Sequence, residues 1–222
     1  MKFLWFLLIV LIFNPALSTV KQDKVLRFLT GDIILLPLDC RVCEMIEDET
    51  GTPYSHSGIV INDEMGHPMV AEALGDVHLI SVEEFLSRLP HGKEAMLFRS
   101  VELAYLYIED EFDFYHYEQN LRRDYFERYH GLKFDSAYKW DNFDKDSREL
   151  LYCTEMITKL LNPYLTDKIP VKPMSFDRNW AFWSRYFLGK VPQGELGNSP
   201  ADIAKHEGFY QVRPLGKYIT IH

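Results

Sequence analysis

Between residues 33 and 80, four short apolar runs alternate with turns that a helix does not tolerate, and this spacing is the tightest constraint on the fold. Ile33 to Leu36 is closed by Pro37, and Ser57 to Ile61 follows the turn Gly51-Thr52-Pro53. Pro68 to Ala73 follows the polar stretch Asn62 to Gly66, and Val77 to Ile80 follows Gly75-Asp76. Runs this short read as buried strands rather than helices, and the tight turns between the last three make neighbours antiparallel. The first two runs are separated by a short helix or loop carrying Cys40, Cys43 and the acidic run Glu47-Asp48-Glu49. The reading is an antiparallel meander.

Helical signals follow it. Ser81 with Glu84 three residues on forms a capping box, which starts a helix over Val82 to Leu89 that stops at Pro90. Ala95 to Val101 reads as another strand. From Phe112 to Tyr129, Phe114, Tyr117, Leu121, Tyr125 and Phe126 fall near helical spacing, and Gly131 closes the segment. Within Leu150 to Leu161, Cys153, Met156, Ile157, Leu160 and Leu161 recur on one helical face, ended by Asn162-Pro163. The rest predicts a short helix near Pro200 to His206 and a closing strand at Tyr218 to Ile221. Neither an internal repeat nor a linker is visible. The fold class expected is α+β, an antiparallel sheet packed with helices in one domain over residues 19–222.

Charge and the N-terminus narrow the function classes. The 222 residues carry 24 basic and 33 acidic side chains, a net charge of −9, with no basic stripe to follow a phosphate backbone, so nucleic acid is excluded as an expected partner. Residues 1–18 have the layout of a secretory signal: Lys2, the apolar stretch Phe3 to Phe13, then Asn14-Pro15 and the small-residue end Ala16-Leu17-Ser18. The apolar stretch is well short of the roughly 20 residues a spanning helix needs. Cleavage after Ser18 is expected, leaving an exported protein, periplasmic or extracellular, with no stable membrane span. Export makes the odd number of cysteines informative, because thiols in an oxidising compartment pair or react. If Cys40 and Cys43 pair, Cys153 is the single free thiol. A structural disulfide, a redox motif and two unpaired core thiols all stay open for that C-x-x-C.

Three residue types point to chemistry. His56 sits at the mouth of an apolar strand, fixed by the sheet yet near a loop, as a base must be; its alternative is a histidine that closes the strand with a hydrogen bond. Cys153 lies near a helix start, where the partial positive charge favours a thiolate and first-turn amides bind an oxyanion. Against this, Asp146-x-x-Glu149 is itself a capping-box pattern, and a helix begun there leaves Cys153 as an ordinary buried thiol on the apolar stripe. Glu72 stands in the otherwise apolar Met69-Val70-Ala71-Glu72-Ala73-Leu74 and needs a partner, which a neighbouring imidazole supplies; an outward-facing edge glutamate is the alternative.

Taken in order, Gly31-Asp32-Ile33-Ile34, Tyr54-Ser55-His56-Ser57-Gly58-Ile59-Val60, Ala71-Glu72-Ala73, Gly131-Leu132-Lys133-Phe134-Asp135 and Tyr152-Cys153-Thr154-Glu155-Met156-Ile157 resemble a known family. It is the YiiX/YebB-like branch of the NlpC-type, circularly permuted papain-like cysteine hydrolases, and the resemblance runs from about Leu26 to Leu161. It implies a permuted papain-like fold with Cys153 as nucleophile, His56 as base and Glu72 as orienting residue. Tyr54 and Tyr152 flank the pair as candidate substrate contacts. The activity implied is cysteine peptidase or amidase, cleaving a peptide or isopeptide amide, with cell-wall peptides among the substrates. A lipid acyl hydrolase or acyltransferase, or an inactive binding module, are its alternatives on the same scaffold. No metal and no cofactor is expected: the eight histidines include no H-E-x-x-H pair, and neither a G-x-S-x-G elbow nor a phosphate-binding glycine loop is present. The segment from Asp141 to Glu149, with Trp140 before it, looks longer than the family pattern.

Overall fold

The computed structural model describes residues 27–217. The expected signal at residues 1–18 and the closing strand at Tyr218 to Ile221 lie outside the described residues. The elements begin with β1 (Ile33–Leu36), α1 (Arg41–Thr50), β2 (His56–Asn62), β3 (Pro68–Leu74), β4 (Asp76–Ser81), α2 (Val82–Ser87) and β5 (Ala95–Ser100). Then come α3 (Val101–Glu109), α4 (Glu111–Asp124) with a π-helical turn at Tyr125–Tyr129, β6 (Lys133–Phe134), β7 (Asn142–Phe143), β8 (Glu149–Leu151) and α5 (Cys153–Leu161). The chain continues through β9 (Lys172–Pro173), α6 (Trp180–Tyr186), β10 (Leu196–Gly197), α7 (Pro200–Ala204) and β11 (Phe209–Leu215).

The sheet order is β11-β5-β1-β2-β3-β4-β6-β8-β7, antiparallel except for the β6–β8 pair. The expected meander is its centre. Strand residues alternate between two apolar layers, which is why the runs read as continuous rather than alternating. Ile33, Leu35, Ile59, Ile61, Ala71 and Ala73 face one core with Leu103 of α3, Leu121 of α4 and Met156 and Ile157 of α5. Ile34, Leu36, Val60 and Val70 face the other, covered by Phe85 and Leu86 of α2. Gly58 lets α2 pack close against the sheet: a Cβ there would lie 2.3 Å from Val70 Cγ1 and 2.8 Å from Phe85 Cε2. A third cluster joins α1 and α6 through Met45, Phe176 and Trp183.

A buried ion pair ties the turn before β1 to β5. Asp32 accepts from Arg99 Nε at 2.7 Å and Nη2 at 2.8 Å, and also from the Leu29 amide at 2.8 Å. Arg99 Nη2 donates to the Arg27 carbonyl as well. Asp32 and Arg99 are 1% and 2% exposed, so the guanidinium fork and the carboxylate neutralise each other out of water.

Several expectations are corrected. Val101 starts α3, capped by Ser100, whose hydroxyl accepts from the Leu103 amide; this helix was not foreseen, nor were α6 and β11. The capping box read at Asp146 and Glu149 does not form. Glu149 pairs with Phe143 in β7 and Leu150 with Lys133 in β6, so the segment is held extended and α5 begins only at Cys153.

Candidate functional site

The late start of α5 puts Cys153 at its first position, after Tyr152 as N-cap. Tyr152 makes no side-chain capping bond, which leaves the first-turn amides unclaimed by a cap. Those amides and the helix dipole favour negative charge at the sulfur. Thr154 Oγ1 lies 3.9 Å from Cys153 Sγ.

His56 is the first residue of β2, 3% exposed, and its Nε2 meets Glu72 Oε2 at 2.6 Å. The Cys153 thiol also acts on the ring. Burial pulls the His56 pKa down, but Cys153 and Glu72 together raise it to about 9. Burial pushes the Cys153 thiol up, and His56, with hydrogen bonds from Ser57 and Thr154, outweighs that and lowers it. The two directions agree, each group favouring the charged form of the other.

Glu72 is fully buried on β3, opposite Gly58. It also accepts from Arg88 Nη1 at 2.5 and 2.6 Å and meets His78 Nε2 at 3.0 Å. His78 Nδ1 in turn faces Asp76 Oδ1 at 2.9 Å. Burial works against the Glu72 charge, yet His56 and Arg88 hold its carboxyl down at about 2. Sequence reasoning missed Arg88 and His78. His78 had a readable signal, because it stands opposite Glu72 in the hairpin register; Arg88, on the turn after α2, had none.

Cys153 and His56 line a cavity of about 440 Å³. Its walls are largely apolar and aromatic, from Val42 and Ile46 of α1, Phe134, Tyr138, Met174 and Trp183. Tyr152 lines it too, but its hydroxyl is engaged: it accepts from the Asn198 amide at 3.0 Å and donates to Asn198 Oδ1 at 3.4 Å. The expectation for Tyr54 is corrected. Its ring packs edge-on against Phe98 at 6.0 Å between centroids and lines a separate shallow pocket with Pro53 and Gly92. Residue 54 precedes the strand that orients His56, so nearness in sequence did not bring it to the thiol.

A second cluster lies beyond the cavity. Asp141, Glu149 and Glu155 bring three carboxylate oxygens within 4.8 Å of one another, the only such group of metal-ligand type among the described residues. Lys159 Nζ is among them, 2.7 Å from Asp141, 2.5 Å from Glu149 and 2.8 Å from Glu155. It also lies over the Trp140 ring. Burial raises Glu155 to about 7 despite Lys159. An ammonium thus stands where a divalent cation would go, and the cluster as built does not fit a metal.

No family model and no curated protein matches the chain. Among solved structures it is similar to YiiX from Escherichia coli O157:H7, described as a metalloprotein. The match has 22% identity and a TM-score of 0.68, and covers 85% of this chain and 98% of that one. At this identity the likeness is one of fold. It supports a mixed α+β architecture of the YiiX type, an antiparallel sheet packed by helices. It corrects the assignment drawn from the sequence blocks. The similar structure is described as a metalloprotein, not as a thiol hydrolase. The NlpC-type family, the permuted papain-like fold and the cysteine peptidase or amidase activity on cell-wall peptides are therefore withdrawn. The lipid acyl hydrolase and inactive-module variants on the same scaffold go with them. Among the described residues no helix is long and apolar enough to cross a membrane.

Proposed function

We propose that the cavity is a binding site for a peptide or acyl-amide ligand, with Cys153 and His56 at its wall. His56 would hold the sulfur as thiolate and Glu72 would fix the His56 ring, while Tyr152 forms part of the wall. Tyr54 has no part in this reading. The observation that carries the proposal is the buried Cys153–His56–Glu72 chain opening into an apolar cavity. An ordinary core thiol has neither a charged partner nor an adjoining void.

Acyl and dipeptidyl chloromethyl ketones test it. They are expected to alkylate Cys153 with saturable kinetics, at least about tenfold faster than iodoacetamide relative to their rates with a free thiol, because cavity binding precedes the bond. Ile46→Glu, which puts a charge on the apolar wall, is expected to abolish the advantage while iodoacetamide still reacts. Non-saturable kinetics at the free-thiol ratio would sink the idea.

We also infer that the chain is exported. The reading draws on the leader-like residues 1–18 and on the Cys40–Cys43 disulfide, a bond suited to an oxidising compartment. Expressed with its full N-terminus in a secreting host, the protein is expected outside the cytoplasm with a mass that begins after Ser18. Retention inside at full-length mass would count against it.

A further inference from the structure

Cys40 and Cys43 are joined as a disulfide at the N-terminus of α1. Cys40 is the N-cap residue and its sulfur accepts from the Cys43 amide at 3.1 Å. Cys40 is exposed and Cys43 buried, and both line the cavity that Cys153 lines. The exposed residue of the pair thus lies at the wall of a ligand-sized void, with the buried one behind it.

The bond is a poor candidate for a staple. Closing a loop of three-residue separation removes little freedom from the unfolded chain, and the loop-closure contribution is smallest for such short rings. The helix is anchored at its other end by independent contacts. Ser55 Oγ donates to Glu47 at 2.9 Å, Trp183 Nε1 to Glu49 at 3.3 Å, the Arg178 amide to Glu49 at 2.9 Å and Lys205 Nζ to the Thr50 carbonyl at 2.8 Å. Met45 is buried against Phe176 and Trp183. Once the bond opens, the α1 amides and dipole stabilise a thiolate at Cys40, which favours the dithiol state and makes Cys40 the reactive sulfur.

We propose that Cys40–Cys43 is a thiol–disulfide exchange site at the rim of the cavity, taking an external thiol as co-reactant. The thiolate R–S⁻ attacks the exposed Cys40 sulfur, the S–S bond to Cys43 breaks, and Cys43 leaves as a thiolate and takes up a proton. A second R–S⁻ attacks the R sulfur of the mixed disulfide, releasing R–S–S–R and the Cys40 thiolate. Two external thiols are oxidised and one protein disulfide is reduced, with two electrons transferred; an oxidised partner runs the same steps backwards. The site does not depend on the reading of Cys153, since either sulfur centre can act without the other.

Reduced glutathione is the probe, applied to the folded chain and read by quenching and peptide mapping, so that each cysteine is scored separately. The native disulfide is expected to open without denaturant, and Cys40 then to alkylate at least about tenfold faster than Cys43. Cys43→Ser is expected to accumulate one glutathione on Cys40 when mixed with oxidised glutathione, and Cys40→Ser far less on the buried Cys43. If the wild-type bond stays closed until denaturant is added, or if both cysteines react alike after reduction, the pair is a structural staple and the proposal is overturned. The wild-type arm stands even if a serine variant fails to fold.

Discussion

Replacing His56 by alanine is expected to slow alkylation of Cys153 at pH 7 by at least about tenfold and to move its pH profile upward. In the wild-type chain the imidazole holds the thiol below its ordinary range against the opposing effect of burial. Without it, burial is opposed only by the hydrogen bonds of Ser57 and Thr154, and the midpoint should rise toward that of a free thiol. Only a few per cent of the sulfur would then be thiolate at pH 7. The more basic thiolate is intrinsically more nucleophilic, which recovers part of the loss and sets the tenfold figure as a lower bound.

The linkage has a definite sign. His56 is raised above its unfolded value, so its contribution to stability is complete below about pH 6.5 and is lost as pH rises through about 9. Cys153 is lowered, so its contribution is present above the ordinary thiol range and is lost as pH falls through the lowered value. The ion pair therefore favours the folded state most between those limits. The stability difference between wild type and His56→Ala should shrink above pH 9. Iodoacetamide rates from pH 5 to 10, with denaturation at matched pH, check both statements. An unchanged profile in the variant would show that Cys153 and His56 do not act as a pair.

The second large effect is expected far from the cavity. Asp32→Ala should destabilise the protein by about 3–5 kcal/mol, because it removes a buried carboxylate that pairs with a guanidinium 2% exposed. Arg99 keeps its bond to the Arg27 carbonyl, but its Nε and one Nη2 contact lose their acceptors, and the Leu29 amide loses its own. That is a large fraction of the 5–15 kcal/mol typical of a folded domain. It corresponds to a melting shift on the order of 10 °C for a chain of this size. Joint replacement by Asp32→Leu and Arg99→Met should cost much less, since it removes both charges from the core. Urea denaturation of the single and double variants separates the cases. A single variant within about 1 kcal/mol of wild type would mean that water reaches the guanidinium.

The site was legible in the sequence only in part. His56, Glu72 and Cys153 could each be picked out because each breaks a local pattern: a histidine opening an apolar strand, a carboxylate inside one, a cysteine at a helix start. Their meeting is a fact of packing. Arg88 reaches Glu72 because α2 folds back over the sheet, and nothing near residue 88 signals that contact. Tyr54 shows the converse, since it is next but one to His56 and is turned into a different pocket. The block resemblance carried more than local pattern can support, and the family and activity drawn from it did not stand.

Local chemistry determined the strand centres from Ile33 to Ile80, the Ser81 cap and the apolar face of α5, because turn residues, capping hydroxyls and periodicity act over a few bonds. Tertiary structure alone decided that β5 pairs with β1 and β11 with β5, that β8 takes residues 149–151 from the helix, and that Lys159 fills the carboxylate cluster. Each of those outcomes rests on contacts between distant segments or on competition between a helix and a sheet for the same backbone. The free energy that settles them is absent from any local window of the sequence.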